Sequence, residues 1–213
     1  STAEVAVVLQ HASRHGAPVV PFGAGSGVCG GVLPAAGAVV VDLRRMDQIL
    51  EFNETALQVR VQAGMYGHHF EDALQARGYS MGHWPQSVSL STVGGWIATR
   101  AAGQFSTRYG SIEDMLLGLE AVLADGRVVR VKATPRRAAG PDPRHLFLGA
   151  EGTAGIVTEA TLKVFPLPES RRLLSFAFPD FDSGLEAIRH IVRAGWRPPV
   201  TRLYDAMETG RHF

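Results

Sequence analysis

Pro21-Phe-Gly-Ala-Gly-Ser-Gly27 is the first of three glycine-rich stretches in this chain, and the other two are Ser91-Thr-Val-Gly-Gly-Trp96 and Glu151-Gly-Thr-Ala-Gly-Ile-Val157. Because glycine has no Cβ, the backbone can turn sharply there and bring its N–H groups close to phosphate or carbonyl oxygens. Each stretch adjoins a predicted strand or helix. Three such stretches in one chain indicate a large nucleotide that is held by main chain from several sides.

Composition is typical of a globular protein that has no extended charged surface. The chain has 213 residues, enough for one or two compact units, with 46% hydrophobic and 19% charged residues. It contains 24 glycines, whereas average usage predicts about 15. The net charge of +1 provides no basic field for nucleic acid. A phosphate-bearing ligand must therefore be held by local contacts.

The single cysteine, Cys29, excludes an internal disulfide. No apolar run reaches the roughly 20 residues that span a bilayer, and no signal peptide precedes Ser1. We therefore expect a cytoplasmic protein without a nucleic-acid partner or a transmembrane segment. Both ends of the chain look cut, so targeting signals are not observable.

The periodicity of apolar residues predicts a mixture of helices and strands, with fold class α+β. The predicted helices cover residues 1–16, 67–77, 92–100 and 183–194, and the predicted strands cover 18–22, 38–43, 57–64, 116–124, 127–132, 156–165, 173–178 and 200–204. Asp125-Gly126 between two apolar strands is a strong hairpin signal. Pro166 and Pro168 indicate a boundary. We predict three units: residues 1–64, 65–168 and 169–213.

Gly25-Ser-Gly-Val-Cys-Gly30 matches the G-x-G-x-x-G pattern of a dinucleotide-binding Rossmann unit. That unit needs a helix that opens at the loop and binds the pyrophosphate. The seven positions before the next predicted strand, at Ala38, cannot hold such a helix, so the Rossmann interpretation is disfavoured. A plain turn-rich loop and a loop whose own amides bind phosphate both remain open.

In their order along the chain, Pro-x-Gly-x-Gly-Ser-Gly, Ser-Thr-Val-Gly-Gly-Trp and Glu-Gly-Thr-x-Gly resemble the FAD-binding domain of the vanillyl-alcohol-oxidase (PCMH-type) flavoprotein superfamily. Within it, the longer runs Ser91–Gly103 and Thr107–Asp114, with Thr201-Arg-Leu-Tyr-Asp205, are similar to the alkylglycerone-phosphate synthases. The resemblance covers nearly the whole chain. It implies two subdomains with FAD between them, followed by the start of a C-terminal cap domain that covers the substrate.

The resemblance also implies which residues contact FAD. The first stretch would wrap the pyrophosphate and ribose, a second group would line the dinucleotide and flavin, and the third stretch would complete the pocket. These residues are Pro21, Phe22, Gly23, Ala24, Gly25, Ser26 and Gly27; Gln86, Ser87, Val88, Ser89, Leu90, Ser91, Thr92, Thr99, Arg100, Ala101 and Ala102; and Glu151, Gly152, Thr153, Ala154, Gly155, Ile156 and Val157. The hydroxyls of Ser26, Ser91 and Thr92, and the N-terminus of the helix after Ser91, are further candidates for diphosphate contacts.

We expect FAD to bind non-covalently, because the first stretch has no histidine and Cys29 is expected to be a packed, inert thiol. His11 and His15 share a helical face, but no third ligand accompanies them, so no metal site is predicted. The family's arginine corresponds to Arg202 and would support the active site beside the flavin. Arg100 and Arg108 are candidates either for flavin or substrate oxygens or for a surface ion pair with Glu113 or Asp114.

Three functions remain open. The resemblance implies an enzyme of ether-lipid synthesis that exchanges acyl for alkyl on dihydroxyacetone phosphate by way of flavin N5. The second is an FAD-linked dehydrogenase of a 2-hydroxy acid such as D-lactate or glycolate, although that branch has Asn-Ala-Gly-Gly where this chain has Arg100-Ala-Ala-Gly103. The third is a non-catalytic flavin-binding fragment. A phosphate- or carboxylate-bearing substrate, a homodimer and a peripheral membrane contact are further expectations.

Overall fold

The computed structural model describes residues 1–212, except for the side chain of His212. Helix α1 (Thr2–Arg14) begins with a reciprocal cap between Ser1 and Glu4 and buries Val5, Leu9 and Ala12. Two short strands follow, β1 (Val19–Phe22) and β2 (Val39–Asp42), and they pair in parallel. The first glycine stretch begins within β1 and continues beyond its end, so this small unit places that stretch at one edge of the fold.

A five-stranded sheet forms the centre of the molecule. The remaining strands are β3 (Ile49–Asn53), β4 (Gln58–Gln62), β5 (Tyr79–Ser80), β6 (Leu116–Val122), β7 (Val128–Val131), β8 (Ile156–Lys163) and β9 (Phe165–Pro166). In the sheet their order is β3-β4-β8-β6-β7 and every neighbouring pair is antiparallel, while β5 and β9 form a separate pair. The late strand β8 therefore lies in the middle, between two strands made much earlier in the chain.

Short helices cover the inner face of the sheet. They are α2 (Gly67–Gln75), α3 (Val93–Ala98), α4 (Ser106–Tyr109), α5 (Ile112–Met115) and a 3₁₀ turn at Pro143–Leu146. Phe70 and Leu74 of α2, Trp96 of α3 and Leu162 of β8 are almost completely buried in one cluster. A second cluster joins α1 to Val122 and Ile156 on the sheet. This core fixes the bases of the loops discussed below.

The last part of the chain contains α6 (Phe181–Arg193) and α7 (Ala206–His212). It exposes several large apolar side chains, among them Leu173, Leu174, Phe176 and Trp196. Unlike the rest of the chain, it adds little to the core.

The α+β prediction is confirmed, and most predicted elements are found within one or a few residues. Two predicted strands are wrong: residues 173–178 and 200–204 form no strand among the described residues. Strand β3 and the short elements α4, α5 and α7 were not predicted. An apolar run needs a hydrogen-bonding partner to become a strand, and the described residues provide none for these two runs.

The division into units at residues 1–64, 65–168 and 169–213 stays a prediction. The sheet includes β4, which precedes the first of these boundaries, and its neighbour β8, which follows it. The two parts are thus joined by continuous strand pairing.

Candidate functional site

The first loop consists of the residues of the first glycine stretch after β1, from Gly23 to Gly27. None of its five amides donates a hydrogen bond to another group within residues 1–212. Gly25, Ser26 and Gly27 are also exposed. Because no group of the fold uses them, these five successive amides are available as donors, and such a surface suits an anion or a carbonyl ligand.

The three glycine stretches converge. A Cβ on Gly23 would lie 2.5 Å from Thr92 Oγ1, and a Cβ on Gly152 would lie 2.5 Å from Pro21 Cγ. The main chain can approach this closely only where a side chain is missing. In addition, the Glu151 amide donates to Ala98 O at 3.0 Å. Stretches that lie about 60 to 130 residues apart in sequence therefore form one cradle, and their residues fit a large dinucleotide.

The second stretch contributes mainly through packing. The Ser91 hydroxyl donates to Ser87 O at 2.7 Å and accepts from the Trp96 indole N–H at 2.7 Å. Thr92 Oγ1 accepts from the amide of Gly95 and caps α3. Both side chains are almost fully buried without a ligand. Their hydroxyls therefore hold the loop in shape, and contact of either hydroxyl with phosphate stays a prediction.

The start of α3 has no free donors for an anion. The Val93 amide donates to Met65 O at 3.0 Å and the Gly94 amide to Ala63 O at 2.7 Å. The next amide, of Gly95, is taken by Thr92. The expectation of an anion at this helix N-terminus is wrong, because the amides that would bind it anchor α3 to the core.

The predicted cofactor residues differ in how accessible they are. Gly25, Ser26, Gly27, Gln86, Ser89, Leu90, Thr99, Arg100, Ala102, Glu151 and Thr153 are exposed; Pro21, Phe22, Gly23, Ala24, Ser87, Ala101, Gly152, Ala154 and Gly155 are half-buried; and Val88, Ser91, Thr92, Ile156 and Val157 are buried. A side chain buried before a ligand arrives has little surface to give it. Cofactor contact by these 25 residues stays a prediction, and the exposed and half-buried ones are the better placed.

Two non-glycine residues of the cradle have left-handed backbone. They are Arg100, at φ 54°, and Glu151, at φ 47°. Such conformations cost free energy and concentrate at functional sites. The Arg100 Nε lies 2.5 Å from Glu113 Oε2, so the alternative of an ion pair with Glu113 is the one the structure shows. Arg108 lies over the ring of Tyr109, at 5.6 Å from its centroid.

Arg202 lies on an exposed irregular segment. Its guanidinium is within 3.4 Å of Gln104 Oε1 and 3.4 Å of the Tyr204 hydroxyl. Gln104 follows the predicted flavin-lining residues 99–102. The contact therefore brings Arg202 to the border of the cradle, and its catalytic role stays a prediction.

Behind the first loop, Arg44 was missed by the sequence analysis. Its guanidinium lies 5.3 Å from the centre of the Phe22 ring and its Nη2 lies 2.6 Å from Asp42 Oδ2. The hydrogen bond from Arg44 lowers the pKa of the Asp42 carboxyl, while Asp42 and then Tyr66 raise the pKa of Arg44. In the sequence, the spacing Asp42-x-Arg44 at the end of a strand was the feature that could have predicted this ion pair.

His83 was also missed. Its ring is completely buried, neither ring nitrogen has a hydrogen-bond partner, and it packs edge-on against Trp96 with 4.9 Å between ring centres. Burial lowers the pKa of His83 to about 4. The imidazole is therefore neutral at physiological pH and lies beneath the second stretch, out of reach of a ligand in the cradle.

The other candidates have no site around them. His15 Nδ1 contacts His11 O at 2.8 Å, and no group of three or more metal-binding side chains occurs in residues 1–212. Cys29 is exposed, so the expectation of a packed thiol is wrong: its glycine-rich surroundings provide no side chains to cover it. None of the described helices combines the length and apolar character needed to cross a membrane.

The outer face of the sheet bears paired charges at a distance from the cradle. Arg60 lies 2.9 Å from Glu159 and 3.6 Å from Glu51, and Arg130 lies 2.5 Å from Glu120. Each arginine pairs with a carboxylate on a neighbouring strand, although Glu120 and Glu159 lie opposite each other on β6 and β8. Such cross-strand ion pairs are typical of a solvated sheet face.

A cradle of glycine loops with free amides, on an antiparallel sheet covered by short helices, is the class of site that binds a large dinucleotide cofactor. The model of the FAD binding domain family matches residues 1–132, more than half of the chain, and the chain belongs to this family.

Curated relatives include enzymes and one protein of undefined activity. The chain is 43% identical to the uncharacterized FAD-linked oxidoreductase YgcU of Escherichia coli (strain K12), over all of this chain and 44% of that protein. It is 35% identical to alkyldihydroxyacetonephosphate synthase of Caenorhabditis elegans, over 95% of this chain and 34% of that protein. It is also 35% identical to the glycolate oxidase subunit GlcD of Bacillus subtilis (strain 168), over 96% of this chain and 44% of that protein.

A solved structure of alkyldihydroxyacetonephosphate synthase superposes with a TM-score of 0.78 at 32% sequence identity, over 90% of this chain and 38% of that one. The chain thus spans less than half the length of these relatives. Its fold and its FAD-binding domain resemble those of the synthase, and the relatives place it in a superfamily of FAD-dependent enzymes.

Proposed function

We propose that the chain provides the FAD platform of an enzyme that exchanges the acyl group of an acylated dihydroxyacetone phosphate for an alkyl group. In this reaction the ester substrate and a fatty alcohol give the alkyl ether and a free fatty acid, with no net oxidation. Bound FAD would supply an electrophilic ring for the exchange. The convergence of the three glycine stretches supports the FAD platform, and the likeness in fold and sequence to alkyldihydroxyacetonephosphate synthase carries the proposed exchange.

The residues of this chain would bind and orient the cofactor. The free amides of the first loop, Gly23 to Gly27, would accept the diphosphate, whose negative charge needs donors because the chain has a net charge of only +1. The third stretch would close the cradle through Gly152 against Pro21. Arg202, at the border of the cradle, would bind an anionic group of the substrate.

A second candidate is the FAD-linked dehydrogenation of a 2-hydroxy acid, and the likeness to GlcD favours it. Against it stands the run Arg100-Ala-Ala-Gly103 at the edge of the cradle, where the 2-hydroxy-acid branch has Asn-Ala-Gly-Gly. We therefore give the acyl-for-alkyl exchange precedence. Ether-lipid synthesis, a cytoplasmic location, non-covalent attachment of FAD, homodimer formation and peripheral membrane contact stay predictions that belong to this proposal.

One anaerobic experiment on the full-length yellow protein distinguishes the two candidate functions. Glycolate or D-lactate should leave the absorbance of oxidised flavin unchanged, whereas acylated dihydroxyacetone phosphate with a labelled fatty alcohol should yield a labelled ether. Rapid bleaching by a hydroxy acid, without ether formation, would replace the first candidate by the second. Release of all flavin on denaturation would support non-covalent binding, and colour that stays with the precipitate would contradict it.

A further inference from the structure

The segment that leads into the third stretch, residues 142–151, is fastened at both of its ends. At the later end, the amides of Gly149 and Glu151 donate to Ile97 O at 2.9 Å and to Ala98 O at 3.0 Å. Those two carbonyls belong to the last turn of α3, the helix that begins within the second stretch. The second and third stretches are therefore joined by main-chain hydrogen bonds, as long as residues 142–151 keep their position.

At the earlier end, the side chain of Arg144 fastens the segment to the sheet. Its Nε donates to Asp142 Oδ2 at 2.8 Å and its Nη2 donates to the same oxygen, while its Nη1 donates to Leu116 O and, at 3.3 Å, to Leu117 O. These hydrogen bonds lower the pKa of Asp142 to about 2, so the pair is ionised at neutral pH. The side chains of Arg144 and Asp142 are only 10% and 16% exposed. A guanidinium this buried needs a paired charge and satisfied donors, and Asp142 and β6 provide them.

The two carbonyls lie at an irregularity in the sheet. Between Leu116 and Gly118, β6 contains one residue more than the facing part of β8. A bulge of this kind disrupts the local ladder of hydrogen bonds. Arg144 provides donors at that point, so its contact fixes the start of residues 142–151 on the bulged part of β6.

This end of β6 also supports the second stretch through α5. Helix α5 ends at Met115, directly before the carbonyls that Arg144 binds, and its Glu113 pairs with Arg100, with 2.5 Å between Oε2 and Nε. Arg100 and Glu151 are the two non-glycine residues of the cradle with left-handed backbone. Such backbone persists only where the surrounding structure holds it. Arg144 thus connects the two elements that hold these residues.

We propose that Arg144 is a positioning residue for the cradle: by fixing residues 142–151 on β6, it holds the third stretch against α3 in the arrangement that binds FAD. Arg144 does not contact the cofactor. It acts through Gly149 and Glu151, whose amides it keeps on the carbonyls of α3. The proposal rests on FAD binding and does not depend on the proposed reaction.

The test compares variants of the flavin-free full-length protein by calorimetric titration with FAD. Arg144→Ala should raise the Kd for FAD roughly 10-fold or more, because the apparent Kd rises as the fraction of molecules with a docked third stretch falls. Arg144→Lys keeps the charge beside Asp142 without the planar fork, so its Kd should lie between those of wild type and Arg144→Ala. Val59→Ala is the control: Val59 is completely buried in β4, so this variant should lose stability and keep the Kd of wild type.

Amide hydrogen exchange distinguishes positioning from a general loss of stability. In the flavin-free protein, Arg144→Ala should speed exchange roughly 10-fold or more in peptides that contain Gly149 and Glu151, because local opening alone exposes these amides. Exchange in β4 should stay as slow as in wild type. Val59→Ala should not speed exchange selectively at Gly149 and Glu151.

An unchanged Kd in Arg144→Ala, or a loss of affinity no greater than that of Val59→Ala at an equal loss of stability, would overturn the inference. Exchange at Gly149 and Glu151 that stays as slow as in wild type would do the same. If the alanine variant does not fold, Arg144→Lys decides by the same two measurements. A wild type that binds FAD but forms no ether, with FAD binding still dependent on Arg144, would remove the proposed reaction and leave the role of Arg144 intact.

Discussion

Two apolar runs in this chain form very different structures. Residues 156–163 form β8, the central strand of the sheet, and Leu162 within it is completely buried. Residues 173–178 carry a higher density of apolar side chains, yet they form no strand, and Leu173 is 75% exposed. The difference shows that hydrophobicity alone does not specify a strand. Strands β4 and β6 give β8 a partner on each side, and the later run has no partner among the described residues.

The largest expected effect tests this difference directly. Leu162→Ala should lower the free energy of unfolding by about 2–5 kcal/mol, because it leaves a cavity in the core. Leu173→Ala, the matched control, should change it by less than about 0.5 kcal/mol, as is usual for exposed positions. Urea unfolding of the 213-residue chain measures both. Equal losses would mean that residues 173–178 have a packing partner in solution.

Acid should destabilise the packed region through His83. Burial lowers its folded-state pKa to about 4, while the unfolded chain binds the proton near pH 6.5. The contribution of the neutral His83 ring to the free energy of unfolding is therefore fully present above about pH 6.5. The free energy of unfolding falls as the pH is lowered towards 4, by up to about 3 kcal/mol.

His83→Leu should remove this part of the pH dependence, as shown by urea unfolding at pH 7 and pH 4.5. His11→Leu, at an exposed position in α1, serves as the control and should retain the acid loss. A profile that is identical in wild type and His83→Leu would show that the ring is accessible to solvent.

Gly23→Ala should have the next largest effect. The added methyl would clash with Thr92 Oγ1, which should cost about 1–3 kcal/mol of stability and weaken FAD binding. Thr92→Ala removes the clashing oxygen but also the cap on Gly95, so alone it should cost about 1 kcal/mol. The double variant should be more stable than the sum of the two losses predicts. Strict additivity would contradict the contact between the first and second stretches.

The smallest expected effect concerns the contact between Arg202, in the last part of the chain, and Gln104 beside the cradle. Arg202→Lys should lower kcat roughly 10-fold or more in the full-length enzyme, because a point charge cannot replace a planar fork, and leave the Kd for FAD unchanged. Arg197→Lys, at another exposed arginine of the same segment, is the control and should leave kcat unchanged. Normal turnover in Arg202→Lys would place Arg202 on the surface.

Local patterns in the sequence predict much of this fold. The cap formed by Ser1 and Glu4, the Asp125-Gly126 turn and the alternation around Val59 and Val61 each specify their own element. Strand β3 was missed because its exposed Leu50 and Glu51 break the alternation, and pairing with β4 compensates. The strands predicted at residues 173–178 and 200–204 are absent for the opposite reason. Their local pattern favours a strand, but no neighbouring strand among the described residues pairs with them.

The site was predictable as a set of glycine stretches but not as a geometry. Nothing in the spacing shows that Gly23 meets Thr92 or that Glu151 reaches Gly31. The spacing also does not show that the Ser91 hydroxyl accepts a hydrogen bond from the Trp96 indole. The first two of these contacts join residues far apart in the chain, so they depend on how the sheet brings the loops together.

The central position of β8 has a consequence for the folding of the protein during its synthesis on the ribosome. Strands β4 and β6 emerge first and must wait, with unsatisfied edges, until residue 163 has left the exit tunnel. Since the third glycine stretch leads directly into β8 and shares its first two residues, the insertion of that strand also closes the cradle. Nascent chains should therefore need chaperone protection during this interval, and the onset of yellow colour should coincide with completion of the sheet.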